Sequence, residues 1–445
     1  MPMQAFDQAL EALCTCLFGW HVLGAILAAG AYFSYQSCFY QLLHAGRWLK
    51  AALGGSRQAG QGVSGFQALT AALAGSIGTG NIVGVAAAIT AGGPGALFWM
   101  CASATLGMMT VFAENYFAAL YRCRGGKRRP NTAGPLHYIE KAGRFGGALA
   151  AIYAAGCCLS SLGMGNMAQT HALAAACSSL GLPAPLAAAG AGLLVFFVAR
   201  GGLGFAIKIT EKLVPAMTFL FLGASLGVLF VYRANLPGAI SSIFESAFSL
   251  RAGAGGVAGM FIAMRTGVAR GVFTNEAGLG SAAFAYEGVK GRSLEELGCL
   301  GIFQVFADTI VMCTVTGLCI LCSRPPALEG AALTFYAYRS ALGSWGGGAV
   351  SLCTALFALA TVVAWCCYGR EALLYLTRGR YQWAYPLAAA LAAVIGCVAP
   401  LQVVFQLGDA FNGLMAIPNL IALGWAVKAM AGPPHSFFAE NSKKG

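Results

Sequence analysis

The sequence predicts an all-α polytopic membrane protein of about eleven transmembrane helices, ten of them forming two five-helix halves of opposite orientation. Three observations carry this expectation. Charged residues make up only 9% of the 445-residue chain, 27 Lys and Arg and 15 Asp and Glu, where soluble domains carry about 25%. Hydrophobic residues reach 58% and mean hydropathy is +0.71, so apolar stretches recur along nearly the whole length and must meet lipid or one another. Two of those stretches are interrupted by glycine-rich polar runs at corresponding positions in the two halves, the pattern of inverted-repeat carriers.

This composition excludes an ordinary cytosolic enzyme. The formal charge of +12 would suit nucleic acid in a soluble chain, but the basic residues fall in short loops between apolar stretches, where they set topology. The expected partner is the lipid bilayer, and no nucleic acid. The N-terminus carries Asp7 and Glu11 without Lys or Arg, so it lacks the basic start of a cleavable signal peptide and the first apolar stretch is expected to stay as a span.

Cutting the chain at basic clusters, Gly and Pro gives spans near residues 12–40, 66–90, 95–121, 147–177, 185–200, 212–232, 255–286, 298–322, 347–370, 382–398 and 403–428. Most reach the ~20 apolar residues that a helix needs to cross the hydrocarbon core, and 185–200 is the shortest. The organisation expected is an extra N-terminal helix with a basic loop (1–65), a first five-helix repeat (66–235), a second (236–430) and a C-terminal tail (431–445). Alternate loops hold 21 basic residues on one side, with a dense cluster from Arg122 to Arg144, and only Arg233, Arg251, Arg324 and Arg339 on the other. That bias puts the N-terminus outside and the C-terminus in the cytoplasm, as an odd number of spans also requires.

Most of the sixteen cysteines lie inside apolar stretches, among them Cys157, Cys158, Cys366 and Cys367, where a thiol behaves as a small hydrophobe. Cys319 and Cys322 form one CxxC without the second pair or nearby His that a structural zinc site needs. The five His are scattered, so neither a disulfide framework nor a metal cluster is expected.

The interruptions carry the chemistry. In the second span, Ala74-Gly75-Ser76-Ile77-Gly78-Thr79-Gly80-Asn81 sets three glycines among six residues, each costing a helix about 1 kcal/mol. In the seventh, Thr274-Asn275-Glu276-Ala277-Gly278-Leu279-Gly280-Ser281 places an acid, an amide and two glycines where apolar residues belong. With the first span set aside, these are the first and sixth of ten, and five helices per half reverses the second half. Unpaired backbone at membrane depth is tolerated only where it lines a cavity or meets protein. N–H groups after Gly78 would attract a carboxylate, and carbonyls from Ala74 to Ile77 would suit a hard cation such as Na⁺. One break would thus serve a small zwitterion and its coupling ion. Small residues can instead merely let helices approach, the reading preferred for Gly107, Gly163 and Gly165.

The run Gly78-Thr79-Gly80-Asn81-Ile82-Val83-Gly84-Val85-Ala86, followed by Gly92-Gly93-Pro94-Gly95-Ala96-Leu97-Phe98-Trp99-Met100, resembles the signature of the alanine or glycine:cation symporters. Further matching runs are Asn166-Met167-Ala168-Gln169, Arg270 to Gly278, Phe306-Ala307-Asp308-Thr309, and Thr361-Val362-Val363-Ala364-Trp365 leading into Tyr368-Gly369. The resemblance spans roughly residues 15–430. It implies a LeuT-type fold with one extra N-terminal helix, and symport of alanine, glycine or a close relative, usually with Na⁺, across a prokaryotic plasma membrane.

By motif position, the resemblance gives Gly78, Thr79 and Gly80 to the substrate carboxylate and Asn81 to bracing the break. Gln169 would complete the polar wall, or would only bond another helix. Asn275 would help to hold the ammonium group through carbonyl acceptors, or would only satisfy freed backbone. Thr361 lines the same pocket and Trp365 would cap the small side chain, unless it faces lipid or packs. For Na⁺ the resemblance implies the carbonyls of Ala74 and Ile77 and the hydroxyl of Thr361. The family pattern puts a second hydroxyl immediately before that threonine, and this chain has Ala360, which supplies no oxygen for a hard cation.

Glu114, Arg265, Arg270, Glu276 and Asp308 fall within spans, where charge is costly and finds a partner or a function. Arg270 and Glu276, six residues apart beside the second break, are expected to form ion pairs that brace the broken helix or gate the cavity. Proton coupling through Glu276 or Asp308 is the alternative to Na⁺. The mechanism expected is alternating access, with no bond made or broken and sodium as the coupling ion rather than a cofactor. An intramembrane enzyme would need a clustered nucleophile and base or a metal set, and neither occurs at helical spacing.

Overall fold

A computed structural model describes residues 2–54, 63–123, 131–179, 181–248, 254–328 and 330–429. Its regular elements are helices, the one chain conformation that pairs its backbone groups within a single membrane-crossing segment. Among the described residues, seven helical stretches are long and apolar enough to cross a membrane: Gln8–Gln36, Gly95–Cys123, Gly143–Ser179, Ala184–Val231, Leu294–Ser323, Ala331–Thr377 and Leu401–Ala429. Shorter apolar helices run over Val83–Gly92 and Ala384–Val398. Large apolar side chains on their outer faces, such as Phe219, Phe230, Leu193 and Leu391, are exposed, which suits a lipid surround better than water.

Two of the seven stretches are long enough for two crossings. Ala184–Val231 has 48 residues and Ala331–Thr377 has 47, against ~20 for a single span. Each contains one glycine in the left-handed region, Gly202 at φ 67° and Gly343 at φ 65°, a conformation open to glycine at no steric cost. Each stretch is therefore two helices joined at a kink. The spans expected at 185–200 and 212–232 lie on either side of Gly202, and the one expected at 347–370 lies beyond Gly343.

The span expected at 255–286 is divided at the interruption expected within it. Its helix, Ala254–Asn275, stops at a turn through Glu276–Gly280 and resumes only as the short Ala282–Ala285. Helical pieces without a counterpart in the expected spans include Ala45–Leu53, Leu136–Ile139, Leu236–Ala247 and the residues of Ala331–Thr377 that precede Gly343.

The second span also divides. Gly65–Ser76 begins at Ser64, whose hydroxyl accepts the Gln67 N–H while the Gln67 side chain accepts the Ser64 N–H, a reciprocal cap that meets two of the helix's free donors. Gln67 also donates to Glu211 Oε2 at 3.0 Å, fixing this end against the Ala184–Val231 stretch. After an irregular turn the chain continues as Val83–Gly92. The residue before this helix and the residues after the second break are joined directly, because Val63 and Val289 form an isolated parallel bridge with the Val63 N–H on Gly288 O at 3.3 Å. The same post-break segment receives Arg122, which donates to the carbonyls of Tyr286, Glu287 and Val289, and its Glu287 accepts from the Gly134 N–H at 2.9 Å.

Candidate functional site

The site begins where the Gly65–Ser76 helix ends. The next helical turn would close with the Gly78 N–H on Ala74 O, but that N–H donates instead to Asn81 Oδ1 at 2.9 Å. The carbonyls of the last turn, Ala74 to Ile77, thereby lose their helical donors. Asn81 also anchors the far side of the break, its amide donating to Asp308 O at 2.9 Å and Asp308 Oδ1 at 2.8 Å. Gln169 Oε1 accepts both the Thr79 N–H at 3.1 Å and the Thr79 hydroxyl at 2.8 Å. Its own amide donates to Met164 O at 3.1 Å, inside a π-helical turn at Gly163–Met167 that widens the helix where it faces the break.

Glycine is required at two positions here by close approach. A Cβ on Gly78 would collide with Thr361 Oγ1 and come within 3.2 Å of Gln169 Oε1, and one on Gly80 would lie 2.6 Å from Thr274 Cγ2. The first broken helix therefore touches both the second broken helix and the Ala331–Thr377 stretch through bare backbone. Thr361 Oγ1 is buried, has no hydrogen-bond partner and lies against Gly78, the residue that follows the freed carbonyls. Ala360 is fully buried next to it.

The second break is built differently. Asn275 ends its helix by accepting the Ala277 N–H at 3.0 Å, while its amide donates to Thr309 Oγ1 at 3.2 Å. Both ends of the Asn275 side chain are thus engaged in holding the turn. Glu276 takes a left-handed φ of 60°, followed by Gly278 at 87° and Gly280 at 73°. A non-glycine residue in that region costs about 1–2 kcal/mol, and partners hold it there. Ser281 donates to Glu276 Oε2 at 2.5 Å and Trp365 Nε1 donates to Oε1 at 2.9 Å. Trp365 is completely buried, which rules out the lipid-facing alternative and makes its indole a clamp on the second break. The two breaks meet here, since a Cβ on Gly75 would lie 3.1 Å from Glu276 Oε1.

The ion pair expected between Arg270 and Glu276 is not formed. Glu276 lies past the end of the helix that carries Arg270, in a left-handed turn where its carboxylate meets Ser281 and Trp365, and Arg270 pairs instead with Asp409. Its guanidinium also lies 5.0 Å and 4.6 Å from the ring centres of Phe273 and Phe405. The pair lines a cavity of about 510 Å³ together with Glu11, Thr90, Arg265 and Gln402. This cavity lies against the helix that follows the first break and the helix that precedes the second.

Asp308 sits in a π-helical segment, Phe306–Cys313, and its Oδ2 accepts the Thr309 hydroxyl at 2.8 Å. Glu114 Oε1 accepts from the Gly280 N–H at 3.1 Å and from Asn419 Nδ2 at 2.7 Å, and Asn419 also donates to Gly278 O at 3.0 Å. Tyr138 completes this group by donating to Asn419 Oδ1.

The structure thus gathers Ala74, Ile77, Gly78, Thr79, Gly80, Asn81, Gln169, Asn275, Glu276, Asp308, Thr361 and Trp365 around the two breaks and sets Arg270 apart, on the cavity wall. Three participants were missed from sequence: Asp409, Asn419 and Tyr138. Asp409 had the same signal as the residues that were found, being an acid within an apolar stretch. Asn419 and Tyr138 had no such signal. No group of three or more His, Cys, Asp or Glu is disposed to hold a metal ion among the described residues.

The model of the sodium:alanine symporter family matches residues 3–444. An uncharacterized transporter of Haemophilus influenzae is 37% identical over 430 residues, covering 94% of this chain and 93% of its own. A sodium/alanine symporter of Methanococcus maripaludis is 36% identical over 433 residues and 94% of each chain. A probable sodium/glutamine symporter of Bacillus subtilis is 34% identical over 422 residues, 89% of this chain and 84% of that one.

Proposed function

The chain belongs to the sodium:alanine symporter family, and from that premise we propose that it carries alanine or glycine across the plasma membrane together with Na⁺. It is a transporter rather than an enzyme. The observation that carries the reading is the meeting of the two helix breaks, where bare glycine backbone, freed carbonyls and one unpartnered hydroxyl converge away from lipid. Broken helices of this kind in secondary transporters supply N–H groups to an anionic substrate group and carbonyls to the coupling ion.

In the proposed mechanism the substrate carboxylate is held by Gly78, Thr79 and Gly80. Gln169 Oε1 takes both Thr79 donors in the conformation described, so it stands in for a carboxylate oxygen and must yield when substrate binds. Asn81 and Asn275 brace the two breaks, and Trp365, held against Glu276, limits the space for a side chain. Na⁺ takes the Thr361 hydroxyl with the carbonyls of Ala74 and Ile77, three oxygens of the hard type that such an ion prefers. The eleven spans form a LeuT-type pair of inverted repeats with one added N-terminal helix, and rocking of one bundle exposes the site to each side in turn. The inward Na⁺ gradient drives the cycle, and the membrane potential adds about 2.3 kcal/mol per charge per 100 mV.

Proton coupling is the second reading. It is favoured by three fully buried carboxyl groups, Glu114, Glu276 and Asp308, whose hydrogen bonds run to neutral groups. Uptake of labelled alanine and glycine into proteoliposomes separates the two. Uptake driven by an imposed Na⁺ gradient alone is the expected result, uptake driven by a proton gradient alone would move the coupling to a carboxyl group, and uptake under neither would reject the substrate class.

A further inference from the structure

A second cavity, of about 450 Å³, lies where the Gly202 kink meets the start of the Ala384–Val398 helix, and it is lined by Phe196, Arg200, Arg370, Gln382, Trp383 and Leu387 among others. It is separate from the paired breaks, and neither its charge nor its aromatic rim has a part in the transport reading. We propose that it binds the headgroup of an anionic phospholipid, with the lipid phosphate on Arg200 and Arg370.

The two positive charges exceed the nearby compensation, the field of Glu371 on Arg370. No acidic side chain lines the cavity, and among the described residues neither guanidinium forms an ion pair. Arg370 donates to the neutral Gln382 Oε1 at a long 3.4 Å, and Arg200 lies 5.7 Å from the centre of the Phe196 ring. Two guanidiniums with donors to spare, facing one space, match a phosphate that can take paired N–H donors. Room for this is built into the backbone. A Cβ on Gly202 would collide with Arg370 Nη1, so the kink that divides the Ala184–Val231 stretch is also what admits the second guanidinium.

The surroundings identify the source of the phosphate as a lipid. Trp383 and Tyr381 are exposed beside the cavity, as aromatic residues are at the level of the headgroups. From Arg200 back toward the start of its helix, Phe197, Leu194 and Leu193 are exposed, and from Trp383 forward, Leu387 and Leu391 are exposed. Two apolar tracks therefore leave the same pair of charges in the same direction, one on each wall, and offer a path for acyl chains. A free phosphate would use the charges and leave the tracks without purpose. Basic pockets between helices at the membrane surface hold anionic lipids in this way.

Native mass spectrometry of the purified full chain, supplied with equal amounts of phosphatidylglycerol and phosphatidylethanolamine, tests the proposal. The expected result is preferential retention of one phosphatidylglycerol. Arg200→Gln, a change at an exposed residue that leaves packing alone, should lower that retention about five-fold, and adding Arg370→Gln should lower it about five-fold again. Arg200→Lys with Arg370→Lys keeps both charges and should keep the preference, which separates loss of charge from loss of fold. Equal retention of the two lipids by the unsubstituted protein, or retention unchanged in the Gln variants, would overturn the proposal. Displacement of the lipid by inorganic phosphate would identify a soluble-anion site and overturn it as well.

Discussion

In the proposed sodium site Thr361 matters most, because its hydroxyl is buried, lacks a partner and faces Gly78. The neighbouring Ala360 has no side-chain oxygen, so on the proposed reading the cation would have one ligand fewer than the family pattern implies. We predict that Ala360→Ser lowers the Na⁺ concentration for half-maximal uptake several-fold, measured in proteoliposomes; an unchanged value would mean that position 360 does not face the ion. Trp365 makes a different kind of contribution, since its indole N–H holds a glutamate in a backbone conformation that a side chain resists. Trp365→Phe fills most of the same volume but withdraws that donor from a buried acceptor, which costs about 1–3 kcal/mol. The expected outcome is a lower thermal unfolding midpoint in detergent, together with a reduced uptake rate. A variant with unaltered melting and uptake would show that Glu276 does not depend on the indole.

At the level of elements, the breaks were legible and the partners of the charges were not. Gly78, Gly80, Gly278 and Gly280 announce interruptions because a membrane helix has no reason to carry them in such density, and both interruptions lie where they were expected. The same reasoning found Glu114, Glu276 and Asp308 but assigned Arg270 to Glu276, since proximity along the chain is visible in a sequence and the direction of a side chain across a bundle is not. The π-helical turns at Gly163–Met167 and Phe306–Cys313 left no mark in the sequence either, because widening a helix by one residue changes its register without changing its composition. Nor did the Leu236–Ala247 helix, which is shorter than a span. The pair that joins the second broken helix to the Leu401–Ala429 helix yields a direct prediction. Asp409→Asn leaves a buried guanidinium without its counter-charge, a loss of about 3–5 kcal/mol, whereas Arg270→Gln with Asp409→Asn removes both charges and should recover most of the stability. Expression level and melting in detergent check the order; a double variant no better than the single would mean that the two residues act separately.

For the whole molecule, the distribution of basic residues predicts an orientation that thiol chemistry can examine. Cys123 is exposed at the end of the Gly95–Cys123 helix, on the side where the basic cluster follows. In a variant with Cys16 and Cys38 replaced by Ser, we predict that a membrane-impermeant maleimide labels Cys123 in inverted vesicles and spares it in right-side-out ones; the opposite pattern would reverse the topology. The bridge between Val63 and Val289 has a mechanical consequence on that same side. It ties the entrance of one broken helix to the exit of the other through one backbone hydrogen bond, Val63 N–H on Gly288 O. Under the proposed alternating access, a path that opened between these two segments would have to part a backbone bond well away from the residues assigned to the cargo.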